Sequence, residues 1–167
     1  MTTLLLIRDF TMMLSRNELG HWEYPYKFDT DQWFGFVYCI ENKTTNQFYI
    51  GKKQLWHGGK RKSRTYGKPM AWKTYTGSST ALNKDIIKYG KNNFSFEIID
   101  LYKTKGGLYY AEAYVQMLAE SMTEYLSDQE TPRFYNRQIA AIRFVPKEHP
   151  SKRTKSFVNK IKKRYIT

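Results

Sequence analysis

Along residues 36–41 the chain reads FVYCIE, with Phe36, Tyr38 and Ile40 on one side of an extended backbone and Val37 and Cys39 on the other. Apolar positions on both faces predict a strand buried on both sides. NKTTNQ is turn chemistry, and FYIGK returns as the antiparallel partner. A third run, FSFEIID, alternates Phe94, Phe96 and Ile98 and predicts another strand. Helical periodicity takes over elsewhere. TALNKDIIKYG carries Leu82, Ile86 and Tyr89 at helical spacing, with a cap at Ser78 or Ser79 and Gly90 as the stop. Apolar residues at 108, 111, 115, 118, 122 and 126 predict a long core helix. RFYNRQI follows as a short extended segment, and residues 4–19 read as a short amphipathic helix ahead of an irregular, aromatic lead-in. Strand, strand, helix, strand, helix is the order of a small α/β domain: an antiparallel three-stranded sheet flanked by helices. There is no internal repeat.

Composition narrows the classes. The 167 residues suffice for one compact domain with extensions, and 41% hydrophobic with 17% aromatic content argues for a real core. No apolar run is long enough to span a bilayer, since LLLI stops at Arg8-Asp9. That run lacks a basic leader and a small-residue cleavage site, so the expectation is a cytoplasmic protein without a membrane partner. The single cysteine, Cys39, excludes an internal disulfide and a Cys-cluster zinc site, and in an apolar strand it reads as core.

Charge changes the picture most. The formal net charge is +13, and residues 51–76 hold eight Lys/Arg with no acid, while 147–167 hold eight against Glu148 alone. Such blocks suit a polyanion, and nucleic acid is the usual one. A solvated tail would explain the C-terminal block equally well. In the first block Trp56, Tyr66, Trp72 and Tyr75 are interleaved with the charge, as in a groove that tracks a backbone and stacks bases. The DNA contacts expected are Lys53, Lys60, Lys62, Lys68 and Lys73, with Lys152, Arg153, Lys162 and Lys163 extending the footprint on a basic helix that orders on DNA.

The motifs are more specific. FVY at 36–38 stands ten intervening residues before YIG at 49–51; WKTYTGSSTALNKDIIKYGKNNFSFEIID, the glutamate of YYAEAY and the asparagine of FYN follow in order. This set, across residues 34–138, resembles the GIY-YIG nuclease superfamily, and most of all small phage-borne proteins akin to free-standing homing endonucleases. The resemblance implies a nuclease domain at 34–138 between an N-terminal extension, 1–33, and a basic C-terminal extension, 139–167. It implies a Mg²⁺-dependent DNA endonuclease with a one-metal mechanism, Mn²⁺ substituting, of homing or DNA-degrading role. Such a protein would act as a monomer or a DNA-induced dimer, in the bacterial host cytoplasm if phage-encoded.

The same resemblance assigns the site. Tyr38 and Tyr49 face the scissile phosphate, one positioning or deprotonating the water. An ordinary tyrosine, with a pKa of about 10, needs a neighbouring cation to act as a base, and Lys52 supplies one. Glu112, the one acid between Asp100 and Glu120, is the protein's metal ligand. Asn136 fixes local geometry. The family arginine falls on Arg61 or Arg64, either of which could pair with a phosphate oxygen. His57 and Tyr75 both match the accompanying His/Tyr. FVY in place of GIY, with Gly35 one place early, means a different strand entrance. The alternative is a module that keeps the fold and binds DNA without cutting it.

Overall fold

The computed structural model describes residues 18–58 and 61–165. The helix expected over 4–19 therefore lies almost wholly outside the described residues, as does Lys60. Strand β1 (Gly35–Asn42) is the middle of a three-stranded antiparallel sheet, between β2 (Gln47–Gln54) and β3 (Phe94–Tyr102). Alternation divides the side chains between two cores. Phe36, Tyr38, Ile40, Tyr49, Phe96 and Ile98 enter one, and Val37, Cys39, Phe48, Ile50 and Ile99 enter the other. This is the doubly buried strand that FVYCIE announced.

The first face is covered by Leu82 of α1 (Thr80–Tyr89) and by Leu19, Trp22, Tyr24, Phe28 and Trp72. Ser79 caps α1 by accepting from the Leu82 N–H, and Gly90, at φ 84°, ends it. The aromatic lead-in is thus part of the core. His21 helps to anchor it: its Nε2 lies 3.0 Å from the Tyr75 carbonyl, and its Nδ1 is buried without a partner among the described residues.

The second face is covered by α2 (Lys105–Leu118) through Leu108, Ala111 and Val115, and by α3 (Lys152–Lys162) through Phe157, Val158 and Ile161. Two differences from the sequence reading stand out. Helix α2 starts at Thr104, whose side chain caps Gly107, and stops at Leu118 instead of running on to 126. It stops because Glu120 is left-handed, at φ 55°, while the Glu120 and Ser121 N–H groups close back on the Met117 and Gln116 carbonyls. That is a Schellman termination made without glycine. Helix α3, in turn, is an integral part of the domain: Ser151 caps it, and Thr154 meets Tyr102 Oη at 3.0 Å. Among the described residues no helix is long and apolar enough to cross a membrane.

The free edge of β2 is managed by the segment after α2. The Phe48 N–H donates to the Arg133 carbonyl at 2.8 Å, and the Tyr135 N–H donates to the Phe48 carbonyl at 2.8 Å. One step further the partner is a side chain. Asn136 Oδ1 accepts from the Ile50 N–H at 3.0 Å and Asn136 Nδ2 donates to the Ile50 carbonyl at 2.8 Å, a carbonyl that Gln116 Nε2 also reaches at 2.9 Å. The carboxamide thus continues the ladder by one residue.

Asn136→Ala would orphan the buried Ile50 N–H, so a loss of about 2 kcal/mol is expected from a urea unfolding midpoint. The pH response has a defined sign as well. Burial first, and Lys91 second, lower the His21 pKa from 6.5 to about 4. Below pH 6.5 the unfolded chain takes up a proton that the folded chain refuses until about pH 4, so His21 removes stability as pH falls through that window. A His21→Gln variant is expected to show a shallower fall of Tm across the same window.

Candidate active site

In β2 the odd residues Tyr49 and Lys53 lie on the α1 side and Lys52 on the α2 side, so a site at 49–53 must wrap around the strand edge. Two adjoining cavities of about 530 and 330 Å³ do so, sharing Tyr49, Lys52, Ser78 and Glu112. The larger also takes in Asn136 and Arg137, the smaller Tyr38, Lys53 and Tyr75.

Gly51 faces Tyr38 across the β1–β2 ladder. A Cβ there would sit 2.6 Å from Tyr38 Cζ and closer still to its hydroxyl, so the glycine makes room for the phenol. The β1–β3 register shifts between Val37 and Tyr38, an irregularity of the kind that re-aims a side chain. Tyr38 is almost fully buried, with ring neighbours Trp22, Tyr49 and Tyr75. Its hydroxyl is pushed well above the usual tyrosine pKa, by burial foremost and then by Tyr49 and Tyr75. Tyr49 Oη lies 3.0 Å from Ser78 Oγ, and burial raises its pKa too, against a smaller lowering by Ser78. Both phenols are therefore neutral near pH 7.

The cation expected to activate them is engaged elsewhere. Lys52 Nζ donates to Glu112 Oε2 and lies 4.2 Å from the centroid of the Tyr109 ring. Lys53 stands 4.1 Å over the Tyr75 ring, its pKa lowered by burial. Glu112 is 9% exposed, on the turn of α2 between Leu108 and Val115. Among the described residues no three His, Cys, Asp or Glu side chains come together as a metal cage. A lone carboxylate at an open cleft suits a hard divalent ion that keeps most of its waters, and does not make a closed zinc site.

The structure thus brings together Tyr38, Tyr49, Lys52, Glu112 and Asn136, with Tyr75 and Lys53. It does not bring in Arg61 or Arg64. The segment after β2 folds back on itself: the Met70 N–H donates to the Leu55 carbonyl and the His57 N–H to the Lys68 carbonyl, both at 2.8 Å. Arg61 and Arg64 are exposed on this excursion, and neither lines the cleft. His57 faces a neighbouring cavity with Tyr66, Met70 and Lys105. Lys62, Lys68 and Lys73 are exposed, as are Lys152 and Lys163. Two tail cations have structural partners: Arg153 Nε donates to the Ile99 carbonyl at 2.8 Å, and Lys162 pairs with Glu120 at 2.7 Å. Ser78 and Arg137 were missed from sequence. The GSS run marked only a helix cap, and an arginine next to the motif asparagine carried no signal of its own.

Comparison with known proteins gives a family and a relative. The family described as "Putative endonuclease segE, GIY-YIG domain" matches residues 21–139. "Putative endonuclease segC" of Enterobacteria phage T4 is 28% identical over 130 residues, 78% of this chain and 55% of that protein. The chain therefore spans little more than half the length of this curated relative. No solved structure matches it. The family match begins at His21, within the aromatic lead-in that packs on the sheet, and runs past the asparagine that closes the β2 edge. On the strength of that match, the chain belongs to the segE-type GIY-YIG endonuclease domain family.

Proposed function

We propose that the chain is a divalent-metal-dependent DNA endonuclease that hydrolyses a phosphodiester at the cleft around residues 49–53. The observation that carries this is the convergence of Tyr49, Lys52 and Glu112 on one cavity wall whose backbone is fixed by Asn136. Hydrolysis needs a placed water, relief of charge growing on the phosphate and help for the departing oxygen. Glu112 would hold the metal, which supplies Lewis-acid stabilisation when bound. Magnesium is the natural ion for one carboxylate plus phosphate oxygens, and manganese should replace it.

The protein's own groups have distinct tasks in this reading. Tyr49, neutral and hydrogen-bonded to Ser78, orients the attacking water or a phosphate oxygen. Tyr38, also neutral and packed against Tyr75, holds the ring wall on which Tyr49 rests. Lys52 neutralises Glu112 in the free protein and is placed to follow the phosphate when DNA arrives. Lys53, Lys62, Lys68, Lys73, Lys152 and Lys163 contribute the salt-sensitive grip on the duplex backbone. One such cleft per chain cuts one strand, so a double-strand break requires two chains or two encounters. A phage homing or DNA-degrading role, in a host cytoplasm, is the biological setting that fits.

The test is cleavage of supercoiled plasmid with Mg²⁺, Mn²⁺ or EDTA. Nicking or linearisation is expected with either ion and none in EDTA. Glu112→Gln is expected to lower the single-turnover rate on the order of 10³-fold while DNA affinity in EDTA persists. Tight, salt-sensitive binding without any cleavage by the unaltered protein would overturn the reading. Gly51→Ala tests the packing beneath the site: overpacking against Tyr38 is expected to cost about 1–3 kcal/mol of stability, with a clear loss of cleavage rate.

A further inference from the structure

We propose that Arg137 supplies the guanidinium that clamps the scissile phosphate, in place of an arginine from the loop after β2; this rests on the endonuclease reading. Arg137 lines the same 530 Å³ cavity as Tyr49, Lys52, Glu112 and Asn136. Its backbone is held in register with the site, because Asn136 is locked on both polar groups of Ile50 and Tyr135 is bonded to Phe48. The side chain, by contrast, is exposed and lightly engaged. Its Nη1 lies 3.4 Å from both the Phe134 and the Asn136 carbonyls, beyond the usual range of an N–H···O bond, and among the described residues it has no ion pair with a carboxylate. A rigid root and an uncommitted fork of donors are what bidentate capture of two phosphate oxygens requires.

The electrostatics favour the same assignment. The two cavities are lined by three cations, Lys52, Lys53 and Arg137, against one carboxylate, Glu112. Lys52 is paired with that carboxylate and Lys53 lies over Tyr75, which leaves Arg137 as the lining cation with neither a carboxylate nor a ring partner among the described residues. Arg61 and Arg64 sit outside this wall, where they can meet DNA backbone away from the cut. The guanidinium stabilises charge that grows on the non-bridging oxygens as water attacks and the leaving oxygen departs, and it exchanges no proton.

Single-turnover cleavage at saturating DNA, with binding measured separately in EDTA, tests the assignment. Arg137→Ala is expected to lower the rate about 10²-fold or more with a much smaller change in affinity. Arg137→Lys, which keeps charge and loses the fork, should recover only part of that rate. Added guanidinium ion should partly restore Arg137→Ala, an effect that a merely structural arginine would not show. Arg61→Ala and Arg64→Ala should raise the DNA concentration giving half-maximal rate. A folded Arg137→Ala that cleaves at the unaltered rate, or an Arg64→Ala or Arg61→Ala that loses the rate at saturation instead, overturns the assignment while Glu112→Gln still reports a nuclease. If the unaltered protein cuts no DNA with either ion, the endonuclease reading falls and this one falls with it.

Discussion

An edge strand presents backbone N–H and C=O groups that must find partners, and in this domain the way β2 meets that requirement fixes the functional geometry. Arg133 and Tyr135 pair with Phe48 through backbone, then the Asn136 side chain pairs with Ile50, and the cleft opens one step beyond. The Ile50 carbonyl also receives Gln116, one helical turn from Glu112 on α2. A single residue of β2 therefore ties together the strand bearing Tyr49 and Lys52, the helix bearing Glu112 and the segment bearing Arg137. Small errors in any of these positions would misplace the side chains that line the cleft, and a buried hydrogen-bonded strand edge is a stiff place to hold them.

The site then uses both faces of a sheet that is buried on both. Tyr38, Tyr49 and Tyr75 belong to the aromatic core under α1, whereas Lys52 and Glu112 belong to the side covered by α2. The aromatic side is apolar enough to keep phenols neutral, so orientation is favoured over proton abstraction as their task. The other side carries the charge. Bringing the two together at one edge sets neutral donors and ionic groups around the same cleft without either being buried among the other.

The sheet was legible in the sequence because β1 is apolar on both faces, β3 opens in alternation over Phe94, Phe96 and Ile98, and YIG follows a short polar turn. Gly51, Tyr49 and Glu112 were legible as motif residues, and Gly51 has a packing reason visible in its register with Tyr38. The end of α2 was not. Apolar residues continue at helical spacing through Met122 and Leu126, and the terminating left-handed residue is Glu120, with no glycine to announce it. The fate of the basic residues was hidden for a related reason. Charge counts cannot distinguish Arg153, stacked near Tyr24 and bonded to Ile99, from Arg137, rooted beside the cleft with loose contacts. Which arginine lines the cleft depends on Leu55 and His57 pairing with Met70 and Lys68, a tertiary fact with no local signature.

In the proposed reaction, metal, water and phosphate converge at the edge of β2 where the Asn136 ladder stops. The most direct test is paramagnetic broadening of backbone amide signals by substoichiometric Mn²⁺. Broadening centred on Tyr49–Lys53, Glu112–Gln116 and Asn136–Arg137, and abolished by Glu112→Gln, is the result this account requires. Broadening centred instead on the cavity at the other end of β2, around Glu41 and Glu124, would contradict it.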